Sequence, residues 1–161
     1  MRRVALLIVG SALLFAAPLA AKSAGPHTPA VGSAERTAII ETLRTHPDLR
    51  FTFRHLRVWN DASRAIAYAE GDNGAIGGFR VILTRDGKDG WREVWGEGDG
   101  GSDSCAAGAR HYRWAMELIQ SYRVAPDALV PGIGAQTRDL ERKAKSNPDL
   151  QCVGDLEGGP A

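Results

Sequence analysis

The sequence predicts a single α+β domain in which helices cover an antiparallel meander. Three observations carry that prediction. Four short stretches, 50–59, 64–70, 78–85 and 91–96, are rich in branched and aromatic residues. The connections between them are short and built from Asn, Asp, Ser and Gly, which suits antiparallel neighbours but is too short for parallel crossovers. Around this block, 34–45 and 105–123 carry apolar residues at helical spacing. The expected order is an N-terminal helix, a four-stranded antiparallel meander, a second helix packed on one sheet face and a short C-terminal helix tied by a disulfide.

Ahead of the domain, Met1-Arg2-Arg3 is a short positive patch, followed by the uncharged run Val4 to Leu14 and the small, Pro-broken run Phe15 to Ala21. That order of charge, apolar core and small residues predicts a secretory signal over 1–21, cut after Ala20 or Ala21. The alternative is an uncleaved anchor, against which Pro18 argues. Cleavage would leave about 140 residues, enough for one core, in the periplasm or secreted.

Residues 22–32, KSAGPHTPAVG, form an expected flexible lead-in, and 33–161 the domain, with a loosely packed C-terminal segment from about 126. Ser33 is placed to cap the first helix with Glu35 in its first turn; Ile39, Ile40 and Leu43 make its apolar stripe, and His46-Pro47 stops it. In the first strand Phe51 and Phe53 share one parity and Leu56 and Val58 the other, which calls for a bulge near Arg54-His55. Asn60 to Ser63 and Asn73-Gly74 supply turns, and Phe79, Val81 and Leu83 alternate along the third strand. After a Gly-rich acidic loop at 96–104, Ser104 or Asp103 caps the second helix, whose Tyr112, Ala115, Met116, Ile119 and Tyr122 should face the sheet. A short charged helix over 137–145 turns Leu140 and Ala144 inward and stops at Asn147-Pro148.

Only two cysteines are present, Cys105 and Cys152. In an oxidising compartment such a pair bonds, closing a loop of about 48 residues and contributing about 4 kcal/mol in the chain-entropy model. Removing Arg2 and Arg3 from the 20 Lys+Arg leaves 18 against 19 Asp+Glu. So even a balance gives no electrostatic basis for nucleic acid or, after signal cleavage, for a membrane surface.

The run Phe51 to Glu70 (FTFRHLRVWNDASRAIAYAE), with Gly90-Trp91 and a cysteine after the fourth strand, resembles a loose group of small exported bacterial proteins without an assigned function. The resemblance covers about half the chain and implies a cystatin-like or nuclear-transport-factor-like arrangement of a helix against a curved sheet. Cystatin inhibitors carry a Gln-x-Val-x-Gly segment that this sequence lacks, so protease inhibition does not follow.

No spacing selects catalytic residues. Cys105 and His111, six apart on one helix, point about 120° away from each other. Tyr68, His55, Glu93 and Asp61 are the acid–base candidates for a pocket on such a fold. The four histidines show no ligand spacing, and no cofactor is implied. Glu97, Asp99 and Asp103 in the acidic loop are a weak calcium candidate, without the order of a helix–loop–helix site. Trp91 and Trp95 share parity on the fourth strand, so with Arg80 and Arg92 they form a candidate binding face; the alternative is that both indoles close the core. The sequence thus predicts an exported binding or accessory module, not an enzyme, with an envelope protein, peptide or glycan as partner; the alternative is a small-pocket enzyme.

Overall fold

The computed structural model describes residues 25–74 and 77–160. The expected signal over 1–21 lies outside the described residues. Helix α1 (Ala34–Leu43) leads into the meander β1 (Thr52–Asn60), β2 (Arg64–Asp72), β3 (Gly78–Asp86) and β4 (Arg92–Gly98). A two-residue strand β5 (Asp103–Ser104) then runs into α2 (Cys105–Ser121), followed by α3 (Pro126–Leu129), α4 (Ile133–Ser146), β6 (Gln151–Val153) and β7 (Leu156–Gly158). The strands form a five-stranded antiparallel sheet, ordered β1-β2-β3-β4-β7, and a separate β5-β6 ribbon.

Local chemistry sets the boundaries. The Ser33 side chain accepts from Arg36 N at the start of α1, and Ser104 does the same for Ala107 N at the start of α2. Gly74, at φ 78°, supplies the left-handed residue that the β2–β3 connection needs. The predicted bulge in β1 is present: pairing with β2 shifts between Phe53 and His55, which lets both halves of the strand bury their apolar side chains.

The sheet is covered on both faces. Helices α2, α3 and α4 lie over one, packing Trp59, Ile66, Tyr68, Ile82 and Trp95 against Tyr112, Ala115, Ile119, Leu129, Ile133 and Leu140. Helix α1 takes the other, setting Ile39 and Leu43 against Leu56, Val58, Ala65, Ala67, Ala69, Val81, Leu83 and Trp91. Helices on a single face were expected; the fully apolar sides of both β2 and β3 require a second layer.

Two expectations about the chain ends are corrected. Within the lead-in, His27 exchanges both backbone hydrogen bonds with Val58 at 2.8 Å, and its Nε2 meets Glu35 at 2.8 Å. Pairing with the β1 edge at Val58 holds the described part of the lead-in, around His27, against the domain. The segment after 126 is well packed: Leu129, Val130, Ile133, Leu140 and Val153 are all buried. Helix α4 is also longer than expected, and β7 continues the sheet beside β4. Cys105 and Cys152 are disulfide-bonded, joining the start of α2 to β6. Among the described residues no helix is long and apolar enough to cross a membrane.

Candidate functional site: a charged row under a polar cleft

Strand register brings Glu70, Arg80 and Glu97 into one row across the sheet. Glu70 stands opposite Arg80 on β2 and β3, and Arg80 opposite Glu97 on β3 and β4. Side chains directly opposite each other in an antiparallel pair are close neighbours, so the register alone places a guanidinium between two carboxylates. Arg80 Nε lies 3.8 Å from Glu70 Oε1, and its Nη1 lies 3.7 Å from Glu97 Oε2.

The residues around this row fix it. Tyr68 donates to Glu70 Oε2 at 2.8 Å, and Arg54 Nη1 donates to Glu70 Oε1 at 2.8 Å. The Tyr112 hydroxyl donates to Glu97 Oε2 in a short contact and accepts from Arg80 Nη1 at 3.0 Å and from Gln136 Nε2 at 2.8 Å. One donor and two acceptor positions exhaust what a phenol can offer. Gln136 Oε1 accepts from Arg80 at 3.1 Å, and Gly154 N donates to Glu97 Oε1 at 3.3 Å.

Burial, reinforced by Glu70 for Tyr68 and by Glu97 for Tyr112, pushes both phenols above their usual range. For Arg80 burial acts downward, but Tyr112, Tyr68 and Glu97 outweigh it and raise the guanidinium further.

Above the row opens a cleft of about 570 Å³, bounded by the ends of β2, β3 and β4, the loop at Gly101-Ser102, Gln136 of α4 and residues 151–154 of the disulfide-bonded arm. The arm sits tight on the sheet: a Cβ at Gly154 would overlap the Gly98 carbonyl, so only glycine allows this wall. Beside the cleft, His111 stacks on Trp95 with centroids 5.0 Å apart, and its Nε2 lies 2.9 Å from the Gly96 carbonyl. Burial lowers its pKa, which favours the neutral imidazole.

A second cleft, of about 360 Å³, opens on the α1 face between Leu43, Leu49 and Phe51 on one side and Glu93, Gly96 and Glu157 on the other. Glu157 stands opposite Gly96, where the missing side chain leaves the two carboxyls a shared space. Loss of hydration and the neighbouring Glu157 push the Glu93 carboxyl up to about 7.

Comparison with known protein families, curated proteins and solved structures finds no match.

The candidate binding face of Trp91, Trp95, Arg80 and Arg92 does not assemble; both indoles close the core, the alternative reading. Ile82 pairs with Trp95 and Leu83 with Glu93, so Val94 is an extra residue on β4 and the parity flips there. Trp95 is 0% exposed under α2 and donates from Nε1 to His111 O at 3.2 Å. Trp91 is 7% exposed, on the α1 face, beneath the Arg85 guanidinium at 4.9 Å. Arg92 lies toward the other end of the sheet, bonded to Asp86 at 2.9 Å. Of the four, Arg80 alone reaches the polar cleft.

The three loop carboxylates diverge too: Glu97 joins the Arg80 row, Asp99 accepts from Gly78 N at 2.8 Å, and Asp103 accepts from Leu156 N at 3.2 Å. Among the described residues no group of three or more His, Cys, Asp or Glu side chains could hold a metal ion. Of the acid–base candidates, Tyr68 belongs to the polar row and Glu93 to the opposite face. His55 lines a groove at the β1 edge. Asp61 caps the β1–β2 turn through Ser63 N and Arg64 N, which hold its carboxyl down at about 2. Sequence reasoning missed Glu70, Tyr112 and Gln136. The signal for Glu70 lay in the hairpin register, which places it beside Arg80; Tyr112 and Gln136 join only through tertiary packing.

Proposed function

We propose that the protein is a small exported binding module that holds a polar ligand, a peptide or a glycan, in the cleft above Arg80. The observation that carries this reading is the Glu70–Arg80–Glu97 row, a set of charges fixed on rigid strands and hydrogen-bonded from several sides at the base of an open cleft. Such preorganised polar groups confer orientation and specificity on a bound ligand. Reactivity is poorly supported at the same place. The phenols are held in their protonated form, and His111 Nε2 is engaged with a backbone carbonyl. Export is supported by the charge–apolar–small order of residues 1–21 and by the Cys105–Cys152 bond, which suits an oxidising compartment.

The test is calorimetric titration of the oxidised protein with a panel of dipeptides, amino acids and acidic and neutral sugars. One class should bind and be recovered unchanged, and Gln136→Ala should weaken its binding by about tenfold, the scale of a lost hydrogen bond to a charged group. Binding indifferent to Gln136→Ala would remove the reading.

One observation favours an enzyme as the second reading. The Glu93 carboxyl, at about 7, sits in the opposite cleft beside Glu157, in the range where a carboxyl can exchange protons at neutral pH. Turnover of a panel compound, abolished by Glu93→Gln, would select it.

A further inference from the structure

The cleft of about 360 Å³ on the α1 face has two unlike walls. One is apolar: Leu43 and Leu49 are buried, and the half-buried rings of Phe51 and Phe79 pack edge to face at 5.7 Å. The other is built from carboxyls. Glu93 and Glu157 share the space over Gly96, where a Cβ would come within 2.8 Å of Glu93 Oε1, so the carboxyl occupies room that glycine leaves. Asp99 and Asp155 also line the cleft. Both glutamates are exposed, so their carboxyls are open to a ligand rather than sealed under the helix.

No cation neutralises the carboxyl wall among the described residues. Arg80, the one basic side chain in the lining, is engaged with Glu70, Glu97, Tyr112 and Gln136 on the other face. The side chains of Glu93, Glu157 and Asp155 have no hydrogen-bond or ion-pair partner among the described residues, and Asp99 accepts from the uncharged Gly78 N. Lost hydration and the charge of Glu157 keep a proton on Glu93 up to about pH 7, as expected of a carboxyl pair without a counter-ion. An apolar wall facing such a pair complements a cationic head on a hydrocarbon stem. A bare metal ion fits less well, because the apolar wall offers it no oxygens and no group of three or more ligating side chains converges among the described residues. Amino acids and acidic sugars bring a carboxylate that this wall repels.

We propose that the cleft between Leu43, Leu49 and Phe51 and the Glu93–Glu157 pair is a second binding site, for a small aliphatic amine, with the ammonium on the two carboxyls and the alkyl stem along the apolar wall. This site is separate from the cleft over Arg80, and it requires no turnover at Glu93. A cation held there favours the ionised pair, so binding near neutral pH expels the proton that Glu93 carries.

The probe is n-hexylamine, with hexan-1-ol as the control for the stem and methylamine as the control for the charge. Calorimetric titration of the oxidised protein should show saturable binding of hexylamine, tighter than either control. Near pH 6.5 the heat should depend on the ionisation enthalpy of the buffer, which reports the expelled proton. Affinity should rise by about tenfold from pH 5.5 to pH 8, where the ammonium itself stays charged, so the change belongs to the protein. Glu93→Gln should weaken binding by about tenfold and remove the buffer dependence. Glu157→Gln, on a different strand, should weaken binding in the same direction and guards against a folding defect in the first variant. The Leu43 and Leu49 methyl resonances should shift on binding. Equal binding of hexan-1-ol, heat independent of the buffer, binding indifferent to both glutamine variants, or calcium chloride binding more tightly than hexylamine would each overturn the proposal.

Discussion

On β2, Ala65, Ala67 and Ala69 face α1, while Ile66, Tyr68 and Glu70 face the three other helices or the cleft beyond them. One strand thus builds two unlike surfaces. The alanine face is shallow, so α1 settles onto it and its buried contacts there are almost wholly apolar. The other face carries long side chains with polar ends, which need partners once buried. Toward Glu70 the sheet extends past the helices, and there the phenols, the guanidinium and the carboxylates satisfy one another around an open space. Small side chains over a covered stretch make scaffold; long polar ones at the uncovered end make a candidate site.

The contrast can be broken most severely through the disulfide, which holds one wall of the cleft over Arg80 and no part of α1. With a sequence separation of 47, Cys105→Ser with Cys152→Ser should cost about 4 kcal/mol in urea unfolding. Hydrogen exchange should rise first in β6 and β7 and least in α1. Next in size, Arg80→Met should cost about 2–3 kcal/mol, a buried-pair penalty reduced for the guanidinium's partial exposure. Adding Glu97→Gln should recover part of that loss, because the stranded carboxylate is then gone. Arg85→Met, which removes the cation over Trp91 on the other face, should cost less than about 1 kcal/mol. On the alanine floor, Ala67→Leu should cost about 1–2 kcal/mol by overpacking against α1, leaving binding at the cleft intact.

The smallest effects separate the two faces by pH. Glu93 is raised to about 7 from 4.5, so the native state holds its proton more tightly than the unfolded chain does. Stability from this group is present below about pH 4.5 and is lost as pH climbs to about 7. Glu93→Gln should flatten that segment of the stability curve. Tyr68 and Tyr112 are raised from 10.0, so these two phenols should withdraw stability from the polar face only above that pH. Thermal melts from pH 4 to 11 would show both segments; a single transition common to the two variants Glu93→Gln and Tyr112→Phe would erase the distinction.

Much of this architecture was legible in the sequence. The caps at Ser33 and Ser104, the turn at Asn73-Gly74 and the β1 bulge follow from local residue chemistry, and alternation located four strands to within a few residues. The pairing of Trp91 with Trp95 failed because a one-residue bulge at Val94 has no composition of its own, yet it reverses the face of every residue beyond it. Strand β7 was invisible for a related reason: Leu156–Gly158 is three residues long and pairs only because the disulfide-bonded arm delivers it to the β4 edge. The polar row depends on register and therefore on where each hairpin turns. Glu70 and Arg80 become neighbours only when the β2–β3 pairing runs from Arg64–Asp86 through to Asp72–Gly78.

The most direct test of the cleft over Arg80 as the working surface is an amide and side-chain NMR titration of the oxidised protein with the tightest-binding compound of the panel. The account predicts shifts confined to Gly98–Ser102, the Gln136 side-chain amide and Gly154, with Glu93, Glu157 and Leu49 unmoved. Shifts centred on Glu93 and Glu157, with the Gln136 amide unchanged, would contradict it.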